Sequence, residues 1–93
     1  MYDIISEFIG SFIFFSVILI KPEAIAIGLA LIVGIYFASP SSGGHLNPAV
    51  SSMMWLKGTL SSSKLLLYVL AQLSGAICAY YFVKGMEKNI YNL

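Results

Sequence analysis

Charge is what this 93-residue chain has least of. Charged residues make up 10% of it, against the ~25% usual in a soluble domain. So few cannot cover the surface of a water-soluble protein, while 59% of the residues are hydrophobic. That balance points to a bilayer as the solvent. The net charge of +1 leaves no basic patch for nucleic acid, and the five lysines (Lys21, Lys57, Lys64, Lys84 and Lys88) are scattered. One cysteine, Cys78, and one histidine, His45, rule out an internal disulfide and leave no second His or Cys at ligand spacing, so neither a metal nor a cofactor is expected. Cys78 lies in an apolar run, where a small buried hydrophobe is the expected role.

What is present is a set of apolar runs. The first begins almost at Met1, has no basic leader, carries Glu7 and is followed by no small-residue cleavage pattern. It reads as a retained transmembrane helix rather than a signal peptide. The expected organisation is a single all-α membrane unit over residues 1–93, multi-pass in its membrane, with little room for a domain outside it. Its spans are 4–20, 24–38 and 64–83. Lys21-Pro22-Glu23 separates the first two, with the proline placed to start the second helix. Spans of roughly 15–19 residues rise only about 23–29 Å, so the helices should extend past these bounds. Small residues recur at Ala26, Ala30, Gly34 and Ala38, and again at Ala71, Gly75 and Ala79, a spacing that lets membrane helices approach closely. Tyr2, Tyr36, Phe37, Trp55, Tyr68, Tyr80, Tyr81 and Tyr91 stand near span ends, as in interfacial belts.

Between the second and third spans, residues 39–56 are polar and irregular and then turn apolar. Lipid offers no partner to free backbone N–H and C=O groups, so such a loop survives at membrane depth only when wrapped in protein or lining a wet cavity. Asn47 before Pro48 is a good N-cap followed by proline at the first helical position. The segment from Pro48 to about Leu56 is too short to cross, so a re-entrant half-helix is expected. Its N-terminus carries partial positive charge, disfavouring cations. The Asn47 amide can donate to a hydroxyl or to water, and carbonyls of Gly43, Gly44, His45 and Leu46 become acceptors along a path.

Glu7 is the second anomaly, because a carboxylate inside a span is costly and marks a functional site by default. Gly10, Ser11 and Phe14 share its face. Glu7 can serve as proton relay or ion ligand, or as an acceptor for the loop's N–H groups or for His45. The structural role is preferred, since the spans hold no second acid. His45 reads as a loop brace and Gln72 as another bracing hydrogen-bonder.

Three segments then become recognisable: Glu7-Phe8-x-Gly10-Ser11-Phe12, Ser42-Gly43-Gly44-His45-Leu46-Asn47-Pro48-Ala49-Val50, and Ala71-Gln72-Leu73-x-Gly75-Ala76. Together, and in this order, they resemble the first half of an aquaporin, of the major intrinsic protein family of water and glycerol channels. The resemblance implies a pore constriction at Asn47, Pro48 and Ala49, pore-lining carbonyls from Gly43 to Leu46, and Glu7 bracing the loop. It places a filter residue at Ile27. Members of that family have six spans and two such loops inserted from opposite faces, an inverted repeat; this chain has three spans and one loop. The family's filter arginine follows the second Asn-Pro-Ala, and here Val50 stands in that place.

A lone half-helix leaves its tip unopposed. Either the chain is a fragment of a longer protein, or it assembles with another half. Three spans put Lys57 and Lys64 on the Met1 side and Lys21, Lys84 and Lys88 on the other. Orientation follows such bias, and two against three is almost none. An antiparallel homo-oligomer of inverted copies is therefore one expectation, and a missing second half the other. The expected function is passive passage of water or a small neutral solute such as glycerol. The alternative is a non-conducting fragment or scaffold that associates with full-length channels. An enzyme fails on inventory, for no base and third group stand by a nucleophile.

Overall fold

A computed structural model describes residues 1–91, with side chains through Lys88; the side chain of Tyr91 lies outside the described residues. The chain is all helical: α1 (Tyr2–Ile20), α2 (Ala24–Ser42), α3 (Pro48–Lys57) and α4 (Ser62–Tyr91). Three of them, α1, α2 and α4 over Ser62–Lys88, are long and apolar enough to cross a membrane.

Pro22 ends α1 by holding Lys21 in an extended backbone, φ −137°. It does not open α2. Glu23 is also extended, and the helix begins one residue later, so Pro22 stands outside the cap. The expectation that residues 39–42 lie in the loop is corrected, since α2 continues through Pro40 to Ser42. Proline's fixed φ is helical, and only one intrahelical bond is lost to it. Ser41 and Ser42 hydroxyls fold back on Ala38 O at 3.3 and 3.1 Å. Gly43, left-handed at φ 91°, then ends the helix, its N–H bonding Ser39 O. α4 likewise starts at Ser62 and runs well beyond residue 83.

α1 is the hub. It packs along both α2 and α4, whereas α3 packs on α4, and α2 and α4 touch where Tyr68 reaches the last residue of α2, Ser42. The small residues of the stripes, Ala30, Gly34 and Ala38 on α2 and Ala71, Gly75 and Ala79 on α4, are buried. At Gly75 an added Cβ would stand 2.8 Å from Phe8 O, so α1 and α4 touch backbone to backbone. The burial pattern is inside out for a water-soluble protein. Glu7, Ser11, Ser16, Ser42, Ser51 and Gln72 are buried, while Ile25 is 78% and Tyr36 80% exposed.

Two side chains depart from the sequence reading. Cys78 is exposed, because the buried face of α4 runs through Tyr68, Ala71, Gln72, Gly75, Ala79 and Val83 and Cys78 is off it. Tyr68 is buried rather than interfacial.

At the start of α1, Asp3 accepts from Lys64 Nζ at 2.5 Å, tying α1 to the first turns of α4. Lys64 is half exposed, so Lys64→Ala is expected to cost under about 1 kcal/mol and less in high salt. Thermal midpoints at two ionic strengths check this.

Candidate functional site

The site is the loop from Gly43 to Asn47 together with the first turn of α3, held from behind by α1 and α4. Its centre is Glu7, fully buried, whose two carboxylate oxygens accept four hydrogen bonds. Oε2 accepts from Ser42 Oγ at 2.6 Å and from the His45 backbone N–H at 3.0 Å. Oε1 accepts from the Leu46 backbone N–H and from Gln72 Nε2, both at 2.8 Å. A buried carboxylate persists only when so saturated. Here the loop that must hide its N–H groups and the acid that must find donors satisfy each other.

A second layer surrounds this pair. Gln72 Nε2 also donates to Ser51 Oγ at 2.9 Å. Ser51 Oγ lies 2.8 Å from His45 Nδ1. Gln72 can only donate from that nitrogen, so Ser51 Oγ accepts from Gln72 and joins it to the His45 ring. The ring packs at a tilt against Tyr68, 5.0 Å between centroids and 59° between planes. Tyr68 donates its hydroxyl to Ser42 O at 2.9 Å, and Ser42 Oγ accepts from Gly44 N at 3.1 Å.

Sequence reasoning passed over Ser42, Ser51 and Tyr68 as braces. A signal existed for one of them, because Tyr68 lies four residues before Gln72 and so on the same face of α4. The serines carried none, the chain having many hydroxyls.

The exposed side of the site is different in kind. Asn47 is exposed and extended at φ −157°, and its Oδ1 accepts from Ala49 N–H at 2.9 Å, capping α3. Its Nδ2 has no acceptor among the described residues, nor does the Val50 N–H. None of the carbonyls of Gly43, Gly44, His45 and Leu46 accepts a hydrogen bond among the described residues. The face thus offers donors from the cap and acceptors from the exposed Gly43 and half-buried His45, Gly44 and Leu46 being buried, with no formal charge, next to the positive end of α3. Such a surface can exchange hydrogen bonds with water or with a hydroxylic solute. Among the described residues no group of His, Cys, Asp and Glu could hold a metal.

The remaining site candidates lie less centrally. Pro48 and Val50 are half-buried and Ala49 is exposed. Ile27, also half-buried, stands apart from the Glu7 cluster, about 10 Å along α2 from Gly34 by helix rise.

Comparison with known proteins follows the same line. The model of the family described as Major intrinsic protein matches residues 1–92. The chain is 36% identical over 64 residues to the glycerol uptake facilitator protein of Escherichia coli strain K12, covering 69% of this chain and 23% of that protein. It is 40% identical over 66 residues to aquaporin PIP2-1 of Arabidopsis thaliana, covering 71% and 23% respectively. Against aquaporin-10 of Milnesium tardigradum the identity is 44% over 68 residues, covering 73% and 17%. The chain thus matches about a quarter or less of the length of these curated relatives. No solved structure matches it significantly. A family match over residues 1–92, three helices able to span a bilayer and a shorter fourth agree: the chain belongs to the major intrinsic protein family and is an integral membrane protein.

Proposed function

We propose that this chain forms one half of a passive channel for water or small neutral solutes such as glycerol. The observation that carries the reading is the exposed Asn47 amide nitrogen, unpaired at the tip of α3, near the unpaired carbonyls of the exposed Gly43 and half-buried His45. Ten residues of α3 rise only ~15 Å, half the hydrocarbon thickness, which supports a helix that enters the bilayer and stops. Its dipole would then aim at the midplane, favouring the oxygen of a passing molecule and repelling cations. Molecules would pass Asn47 in single file, each turned by the donors at the tip, so that a continuous proton wire is interrupted. Asn47, Pro48 and Ala49 form the constriction in this reading, and Ile27 and Val50 are filter candidates. No bond is made or broken, so the reading is not that of an enzyme.

The tip needs an opposing surface. Ala49, Met53 and Leu56 leave one side of α3 exposed, which suits a second half seated against it. That half comes either from another segment of a longer chain or from a second copy inserted upside down, and the lysine balance of two against three makes the latter a testable case. A C-terminal tag probed from both sides of sealed vesicles should be found on both faces if copies insert in two orientations, and on one face otherwise.

Stopped-flow shrinkage of proteoliposomes tests the channel itself. Water or glycerol flux above that of empty vesicles is expected, and background flux with intact assembly would favour a scaffold instead. Asn47→Ala should lower the flux about tenfold, the equivalent of one hydrogen bond worth about 1.4 kcal/mol. Asn47→Asp should admit cations, read as a conductance the parent lacks, because a carboxylate at the tip cancels the dipole's repulsion.

A further inference from the structure

We propose that the Leu46 side chain is a wedge that sets the approach of α1 to α2 and, through it, the position in which Asn47 is held, making Leu46 a positioning residue for solute passage. The idea of passage rests on the channel reading above; the wedge does not.

Leu46 is the only non-glycine residue with positive φ among the described residues, at 56°. Leucine rarely adopts that backbone, and it persists only where the surroundings over-determine it. The surroundings here are two facing glycines. Leu46 Cδ2 lies 2.7 Å from where a Cβ on Gly10 would stand, and Cδ1 lies 2.7 Å from where one on Gly34 would stand. The same two positions lie 3.4 Å from Gly34 O and 3.2 Å from Gly10 O, so the helices cross backbone against backbone at this point. One branched side chain fills the notch that two missing side chains leave, with each methyl against a different helix.

The residue is held at its other end too. Its N–H bonds Glu7 Oε1 on α1, and Gly44, two residues before, lies so close to α2 that a Cβ would stand 3.2 Å from Ile35 Cα. The next residue, Asn47, caps α3. The left-handed turn at Leu46 is therefore where the chain leaves the α1–α2 surface and sets off along α3. A side chain clamped between two helices, one bond from that turn, passes any change in their spacing to the Asn47 amide. A side chain that merely filled space would cost stability when shortened and leave Asn47 where it was.

The test uses the whole chain in nanodiscs, read by nitrogen–proton resonances of the Asn47 side-chain amide and the Ala49 N–H, with flux in proteoliposomes alongside. Leu46→Ala is expected to move both resonances and to change the ratio of water to glycerol flux at least threefold. Leu66→Ala, at a position 60% exposed, should do neither. Leu46→Gly, which relieves the backbone but removes the wedge, should behave like Leu46→Ala. Gly10→Ala should also displace the resonances, and combining it with Leu46→Ala should bring them back toward the parent, because the new methyl enters space the leucine vacates. Should Leu46→Ala not fold, Leu46→Gly, free of strain at this φ, and its pair with Gly10→Ala carry the same comparison. Unmoved Asn47 and Ala49 resonances in the shortened variants, or strictly additive effects of the two substitutions, overturn the wedge. Absent flux in the parent with responsive resonances overturns the channel reading and leaves the wedge standing.

Discussion

Glu7→Ala is expected to abolish the folded arrangement of the loop. Four donors lose their acceptor at once, but they do not lose equally. The Ser42 hydroxyl can turn to Ala38 O, 3.1 Å away, and Gln72 keeps Ser51. The N–H groups of His45 and Leu46 have nowhere to go. Each buried, unsatisfied backbone donor costs about 1–3 kcal/mol, the full amount for Leu46 and less for the part-buried His45 N–H, a sizeable share of the ~5–15 kcal/mol by which a typical domain is stable. The hole left by the side chain adds to this. Glu7→Gln should fall between, since one oxygen remains while the amide nitrogen faces groups that also donate. Size-exclusion profiles and thermal midpoints in mild detergent rank the three proteins. An alanine variant with the parent's midpoint would show that the carboxylate is not what holds the loop.

Gly75→Val is expected to separate α1 from α4 and so reach the same end by another route. A Cβ on Gly75 would stand 2.8 Å from Phe8 O, 3.0 Å from Ser11 Cβ and 3.1 Å from Phe12 N. These are backbone atoms and a Cβ, none of which can swing aside as a side-chain end could. Overpacking typically costs about 1–3 kcal/mol, the range expected for Gly75→Ala, and valine adds two further methyl groups to the same contact. Moving the helices apart also stretches the 2.8 Å bond from Gln72 to Glu7, so the packing fault and the polar fault are coupled. Gly28 and Gly85 provide the contrast, since an added Cβ meets nothing within 4 Å at either. Alanine there should be neutral or stabilising by up to about 1 kcal/mol through helix propensity. Thermal midpoints of the four single variants in one detergent decide the matter; equal losses at Gly75 and Gly28 would contradict the backbone contact.

The fold class was legible because it depends on run length and on the scarcity of charge, both one-dimensional properties. The end of α2 was not. Ser39, Pro40, Ser41 and Ser42 read as loop because serine and proline avoid helix interiors, yet a proline costs a helix only one bond in its last turns, and the buried Ser42 returns its hydroxyl to Ala38 O. The grouping of Glu7, His45 and Gln72 was approachable from sequence because a polar group in an apolar span must find a partner. Tyr68 escaped, since a tyrosine belongs equally to an interface and to an interior that offers its hydroxyl an acceptor. Cys78 was misplaced although the stripe of Ala71, Gly75 and Ala79 with Gln72 marks the inward face of α4, because an apolar run was taken as interior on every side and Cys78 lies off that face. Leu46 looked like backbone with an incidental side chain, and its position between Gly10 and Gly34 became visible only with the helices in place.

The long reach of Glu7 bears on how the protein is made. Ribosomes deliver chains from the amino end, and the carboxylate is synthesised 35 residues ahead of Ser42 and 65 ahead of Gln72. When α1 first meets lipid, the end of α2, the loop and α4 that carry its four eventual donors have not folded against it, so the acid must enter unaccompanied. A charged residue at the centre of a nascent helix costs ~3 kcal/mol, an upper bound for Glu7 a third of the way along α1, and each isoleucine or phenylalanine returns about 0.5 kcal/mol. The crowd of isoleucines and phenylalanines between Ile4 and Ile20 outweighs that cost and can carry an orphan acid into the bilayer to wait for the rest of the chain.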